Sequence, residues 1–502
     1  MRWFIKGKPH KNDKLPTMKT ISLEEENNHV FSTDMDHNEK LIQEAFQDCS
    51  DVVYRKIEVK QETQWLIVYI DNLIDTNMLE EQVIKPMLTS ITRDEVPSES
   101  GNLKDELVSI GTTTSSTKVA DVIQNVLEGH AAILKIGASN VMTVAMLGTS
   151  KRSIDEASSE PVIRGPRDGF IEQISTNISL IRSRLKTPKL KVAYITLGEH
   201  TQTKIAITYL KGVALDSLVE EVKARLEPIK LDGVLESAYI EECIEDQPFS
   251  PFPQVHNTER PDVVAAELLE GKVAILVDTS PFVLVVPMTF WTGLQASEDY
   301  YIRWPAATFF RWIRLLFIHL AIFAPPLYVA ITTFHQEMIP TSLVLSIAAS
   351  REAVPFPAMI EALIMEIIFE ALREAGIRLP KQIGPTISIV GGLVIGQSAV
   401  QAGLISAPVV IIVSITGIAA FTIPRYSFAN GIRLLRFPML FLAGSLGLYG
   451  IVLGFLGIML HVTSLRSFGV LYFSPIAPFK LAAWRDVLIR IPIWAKRSWG
   501  NK

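Results

Sequence analysis

The chain has 502 residues, a mean hydropathy of +0.27 and 20% charged residues, too apolar for a protein wholly in water and too charged for one wholly in lipid. Most of the charge lies before about Pro281 and nearly all the long apolar runs lie from Pro281 to Pro478, so a water-exposed part, long enough for two ordinary domains, precedes a membrane part. The net charge of -5 decides little by itself, and the two distant cysteines, Cys49 and Cys243, imply neither a disulfide framework nor a metal site.

Residues 1–35 are polar and rich in Lys, Glu, Asn and Thr, the composition of a flexible tail, and Met1 to Lys6 turn polar before a signal-peptide core could form. An α/β subdomain is expected over 36–146, with Trp65–Ile70 as a buried strand and Met78–Ile91 as a helix. The polar stretch Thr149–Ser159 joins it to a second subdomain over 160–280. There Lys189–Ile195 and Thr203–Tyr209 read as strands of period two, Ser217–Leu226 as an amphipathic helix, and Ser250-Pro251-Phe252-Pro253 as an extended segment. An internal repeat supports the division. Val119-Ala120-Asp121-Val122-Ile123 leads through Gly129 to an apolar run, and Arg260-Pro261-Asp262-Val263-Val264 leads through Gly271 to another. Each copy reads as a helix capped by Asp and ended by Gly, then a strand: a duplicated α/β unit.

A multi-pass helical membrane domain is expected over 281–478. Pro281–Met288 is short and broken by proline, so it lies at the interface or re-enters the bilayer. Ile313–Thr333 is a span interrupted by Pro325-Pro326. Arg303, Arg311 and Arg314 on its N-terminal side leave the preceding domains in the cytoplasm, and Trp291, Trp304 and Trp312 suit an interfacial belt. Gln382–Pro424 holds no charged residue and has basic residues on both sides, which predicts a hairpin of two spans with its break at Ser406-Ala407-Pro408. In the last run, Phe437–His461, Gly444, Gly447, Gly450, Gly454 and Gly457 fall on one helix face as a packing stripe. The basic tail, 479–502, argues for a cytoplasmic end. A single crossing over 437–461 from inside would leave it outside; another crossing near Leu465–Pro478 would settle that, but Arg466 makes it a poor helix.

The most unusual constellation is on the predicted helix after Pro357. Glu366, Glu370 and Glu374 stand at i, i+4 and i+8 among Met, Ile, Leu and Phe, with Glu361 off the stripe. Carboxylates at membrane depth need water, a basic partner or a cavity, so they are candidates to line a cation pore in a ring of subunits. The competing reading is a helix flat at the interface, with solvated glutamates paired to Arg373 or Arg378. Gln397 and Gln401 are candidate polar contacts within the membrane, and Gly392 and Gly396 a GxxxG packing pair. Arg164, Arg182, Arg184 and Lys186 read as a solvated face or a contact for anionic headgroups. Gly271-Lys272 lacks the upstream glycine of a P-loop and the nine histidines form no HExxH pattern, so no enzyme, catalytic residue, cofactor or metal is expected.

The runs Ser350–Pro357 (SREAVPFP), Phe369–Lys381 (FEALREAGIRLPK) and Ile389–Gln397 (IVGGLVIGQ) resemble the A subunits of spore germinant receptors, the GerA family of endospore-forming bacteria. Ile163–Pro166 (IRGP), Asn177–Arg182 (NISLIR), Ser250–Gln254 (SPFPQ) and Thr258–Asp262 (TERPD) agree, and the resemblance covers roughly Leu103 to Trp494. Two departures are Asp278-Thr279-Ser280-Pro281, where the family commonly has Asp-Gly-Thr-Pro, and Gly469-Val470-Leu471-Tyr472, where it often has Gly-Val-Pro-Tyr. The resemblance implies a protein of the spore inner membrane that works with a transporter-like B subunit, the main nutrient-binding component, and a C-subunit lipoprotein. It also implies a homo-oligomer that forms a nutrient-gated ion channel and initiates germination, with no nucleic-acid partner. A paralogue linked to dipicolinate release is the alternative; a secondary transporter fits less well, because the spans are few and no inverted repeat is evident.

Overall fold

The computed structural model describes residues 29–59, 62–92, 113–148, 156–378, 394–477, 486–492 and 494. Most of the polar N-terminal tail, Gly392, the start of the charge-free run, and Lys480, Arg485, Lys496 and Arg497 of the basic tail lie outside the described residues.

The apolar runs of the first half form two five-stranded antiparallel sheets. The first takes β1 (Val52–Val59), β2 (Glu62–Ile70), β3 (Thr113–Ser116), β4 (His130–Lys135) and β5 (Val141–Ala145) in the order β1-β2-β4-β5-β3. The second takes β6 (Leu190–Leu197), β7 (Thr203–Leu210), β8 (His256–Thr258), β9 (Val273–Val277) and β10 (Val283–Val286) in the order β6-β7-β9-β10-β8. The two orders are the same permutation, and the sequence repeat falls on equivalent helix–strand pairs: Val119–Leu127 before β4 and Pro261–Leu269 before β9. Both helices end on a glycine at φ +88°, Gly129 and Gly271, in the left-handed region that glycine enters without a Cβ penalty. The start signal differs from expectation. Asp121 and Asp262 lie in the first turn, where they favour the helix dipole, while Lys118 and Arg260 hold the N-cap positions with no side-chain cap.

Two sequence expectations are corrected here. Val283–Val286, read as interfacial or re-entrant, is β10, fully buried between β9 and β8. A strand covered on both faces is a continuous apolar run and mimics a membrane segment. The second subdomain therefore extends beyond residue 280. For the same reason β7 is buried at every position except Lys204 instead of alternating. Arg182 is likewise not on a solvated face: it is fully buried and grips Asp51 of the first subdomain with Nε at 2.7 Å and Nη2 at 2.8 Å. Beside it the backbone of Asp48 and Ser50 pairs with Val192 of β6, so the two subdomains are joined edge to edge.

The second half is helical. With α1–α8 reserved for the helices of the first half in chain order, from Met35–Ala45 to Pro261–Leu269, it contains α9 (Trp304–Phe334), α10 (Thr341–Arg351), α11 (Ala358–Arg378), α12 (Ala407–Phe421), α13 (Tyr426–Leu446) and α14 (Leu448–Ser464), with residues 394–401 also helical. Helix α9 runs through Pro325-Pro326 unbroken; among the described residues it is the one helix long and apolar enough to cross a membrane, α12 and α14 being apolar but shorter. Trp304 and Trp312 are exposed at its base, whereas Trp291 is buried in the core. Arg311 and Arg314 pair with the buried Asp299.

The chain breaks before Ala407 as expected, with Ser406 at the N-cap and Pro408 in the first turn. The last apolar run is not one helix. Gly447, at φ +63° and ψ -142°, separates α13 from α14, and the two fold back on each other: a Cβ at Gly450 would overlap the Leu442 carbonyl and one at Gly454 the Met439 sulfur. The five glycines therefore do not share a face. Gly444 meets Met359 of α11, and Gly457 has nothing within 4 Å of an added Cβ. The parity difficulty rested on a single helix over this run, which the fold-back replaces with two. The chain returns to the end from which α13 started, and residues 466–471 form a two-stranded turn (β11, Arg466–Ser467; β12, Val470–Leu471) against the second subdomain instead of a further helix.

Candidate functional site

Helix α11 is built from strong helix formers, Ala, Met, Leu and Glu, and starts just after Pro357. Its four glutamates each meet an arginine. Glu361 is fully buried, accepts from Arg351 Nε at 3.1 Å, and accepts from the Ser406 backbone N–H at 2.9 Å, where the positive end of the α12 dipole favours a carboxylate. Glu366 is buried against Arg436 of α13, and Arg436 Nε donates to the Ala321 carbonyl of α9 at 2.8 Å, so one ion pair ties three helices. Glu370 faces Arg433 Nη1 at 3.3 Å and Arg373 at 3.8 Å. Glu374 pairs with Arg378 at the exposed end of the helix. Arg373 also lies over the rings of Phe421 and Tyr426, at 5.6 and 5.5 Å.

The result is a seam of ion pairs running about 20 Å along α11 at ~1.5 Å per residue: its four glutamates meet five arginines, Arg433 and Arg436 from the antiparallel α13, Arg351 from α10, and Arg373 and Arg378 from α11 itself. Sequence reasoning found the glutamates and, in its competing reading, the nearby Arg373 and Arg378, but missed the arginines supplied by other helices. Arg433 and Arg436 served only as a flank of the apolar hairpin; their spacing of three on one helix, facing a spacing of four on its antiparallel neighbour, is the signal that could have found them. The glutamates are not a bare carboxylate surface within one chain. Glu366 Oε1, Glu370 Oε1, Arg373 Nε, Arg433 Nε and Arg436 Nη2 are buried without a hydrogen-bond partner among the described residues, so the seam has donors and acceptors to spare for water or an ion. Gln397 and Gln401 are exposed on the 394–401 helix, and Gly396 is buried with its Cβ position 3.4 Å from Val410.

A second layer joins the seam to the sheets. Arg425, at the N-cap of α13, pairs with Glu160 at 2.6 Å; Thr258 and Arg260 hold the same glutamate through its carboxylate and its backbone carbonyl. The Ser250–Pro253 segment inserts Phe252 among Phe290, Phe428 and Tyr472, and a Cβ at Gly431 of α13 would overlap the Pro251 carbonyl. Asn257 of β8 bridges Ser427 of α13, at 3.1 Å, to Glu241 of the second subdomain, at 3.4 Å.

Burial first, and repulsion from Glu245 second, push Glu241 up to about 7. A carboxyl raised in the folded state contributes stability that is complete below its unfolded value and lost as pH rises through the folded one. Stability is therefore expected to fall between about pH 4.5 and 7 by at most ~3 kcal/mol, and Glu241→Gln should remove that limb. Thermal midpoints of the two proteins across that range check it; parallel curves would show that Glu241 is not the group responsible.

The family model described as "Bacillus/Clostridium GerA spore germination protein" matches residues 40–499. The chain is 45% identical to the uncharacterized membrane protein YfkQ of Bacillus subtilis, over 94% of this chain and 92% of the relative. It is 44% identical to spore germination protein KA (89% and 82% covered) and 40% to spore germination protein A1 (91% and 93%), both of Bacillus subtilis. Among solved structures, the N-terminal domain of the A subunit of the Bacillus megaterium spore germinant receptor GerK3 is 30% identical, with a TM-score of 0.41, over 52% of this chain and 98% of that one.

Proposed function

Because this chain belongs to the GerA family of spore germination proteins, we propose that it is the A subunit of a germinant receptor in the spore inner membrane. In this reading the helical half is a multi-pass membrane domain and the two α/β subdomains stand on the cytoplasmic side. Several copies assemble into a nutrient-gated ion channel, in company with a transporter-like B subunit and a lipoprotein C subunit. The observation that carries the reading is the buried Glu366–Arg436 pair, continued by the partly buried Glu370–Arg433 pair. Charged groups among apolar helices are costly to desolvate even when paired, so their presence there supports an ion path or a switch. The α13 end of the seam continues into the Arg425–Glu160 contact, so a displacement of the second subdomain acts on the helix that supplies Arg433 and Arg436. The pore reading is thereby sharpened: ions meet paired charges whose partners can shift, not a ring of free carboxylates.

The test is nutrient-triggered cation flux from liposomes that hold the full-length protein with its partner subunits. Glu370→Gln leaves Arg433 and Arg373 without their carboxylate and is expected to change conductance or selectivity while the protein still folds. Unchanged flux would leave the seam a packing device only. An A subunit that stays monomeric in detergent and never conducts, with or without partners, would overturn the channel.

A further inference from the structure

Among the described residues of the α/β half, Phe249 is the most exposed large apolar side chain, at 99%. It directly precedes the segment that enters the helical half, where Ser250 Oγ meets His461 Nε2 at 3.0 Å and Phe252 is buried among the helices. Two helices measure how deep this segment lies. His461 is thirteen residues beyond Leu448, so at ~1.5 Å per residue the contact to Ser250 is about 20 Å from the Gly447 turn. Gly431, against Pro251, is sixteen residues before that turn, or about 24 Å. Both depths are smaller than the ~30 Å of a hydrocarbon core. A helix of 17 residues is too short to cross that core alone, and the 250–253 segment meets its end.

The base of α9 agrees. Its 31 residues span about 46 Å, so some 16 Å, or about eleven residues, exceed the hydrocarbon. The surplus turns on the subdomain side bear exposed Trp304, Phe309, Phe310 and Trp312, with exposed Tyr426 at the base of α13. The Trp and Tyr rings among them, apolar with a polar edge, mark the headgroup level.

We infer that residues 249–253 of the second subdomain form a wedge inserted in the leaflet nearest the sheets, with the Phe249 ring among phospholipid acyl chains just below the headgroups. The inference rests on the membrane reading above. It makes the second subdomain a lipid-seated body, anchored beside the helices it contacts, and not one suspended in water. Because the Phe249 side chain has almost no protein contact, its replacement disturbs no core.

The full chain carrying Cys243→Ser, with Cys49 left buried, receives Phe249→Cys, Leu147→Cys or Leu456→Cys and an environment-sensitive fluorophore, and is placed in phosphatidylglycerol–phosphatidylethanolamine vesicles. One quencher is a nitroxide high on a lipid acyl chain and the other a nitroxide in water. Lipid-borne quenching at position 249 is expected to exceed that at position 147, on the first subdomain, at least about threefold, and to approach that at position 456 on α14. Lipid quenching at 456 with only aqueous quenching at 249 overturns the wedge and leaves the membrane reading intact. Aqueous quenching alone at 456 overturns both.

Discussion

Arg436→Leu is expected to destabilise the purified full-length chain by ~3–5 kcal/mol, because it strands the Glu366 carboxylate in a buried apolar setting. The Ala321 carbonyl loses its side-chain donor in the same step. The double variant Glu366→Leu/Arg436→Leu removes both charges and fills the space with apolar atoms. It should recover most of that loss, since a buried pair exchanged for packed hydrophobes is often neutral. Thermal unfolding in detergent, read on both single variants and the double, forms a cycle whose interaction energy isolates the pair. A double variant as unstable as either single one would mean that the seam's stability lies in the Arg436 contact to α9, not in the ion pair. The same cycle bears on function: a double variant that is stable yet closed to ions would separate the seam's role in holding the helices from its role in conduction.

What could be read from the sequence depended on range. Gly129 and Gly271 each end a helix and lie within a few residues of the Asp and the apolar run that define the repeat, so the duplicated unit was legible. The sheet order was not, because the third strand of each unit reaches the far edge only through pairing with the fifth. Hydropathy located the helical half but misassigned Val283–Val286, since four consecutive buried residues look alike in a covered sheet and in lipid. Among five glycines at helical spacing nothing local singled out Gly447 as the turn. Its backbone conformation is imposed by the antiparallel contact of α13 with α14. The glutamate stripe and its local partners Arg373 and Arg378 were visible because they repeat on one helix, whereas Arg433 and Arg436 sit about sixty to seventy residues away and were assigned to the flanking charge.

Asp51→Asn should open the joint between the two subdomains without unfolding either sheet. The carboxylate takes two hydrogen bonds from one guanidinium at 2.7 and 2.8 Å, with both side chains removed from water, and the amide that replaces it keeps at most one acceptor and no charge to balance the buried Arg182. An uncompensated buried charge costs ~3–5 kcal/mol, so amide exchange at Ser50 and Val192, which pair across the joint, should accelerate at least about a hundredfold. Amides in the middle of β4 and β9 should keep their rates, because each sheet has its own core on both faces. Arg182→Lys is the finer probe: it keeps the charge but cannot reproduce the two-pronged geometry, and should fall between the wild-type protein and Asp51→Asn. If Ser50 and Val192 exchange no faster in Asp51→Asn, the backbone pairing along β6 holds the subdomains by itself and the buried pair is dispensable. If they do accelerate while the Arg425–Glu160 contact stays closed, the first subdomain can move independently of the helices, and only the second is mechanically tied to the seam.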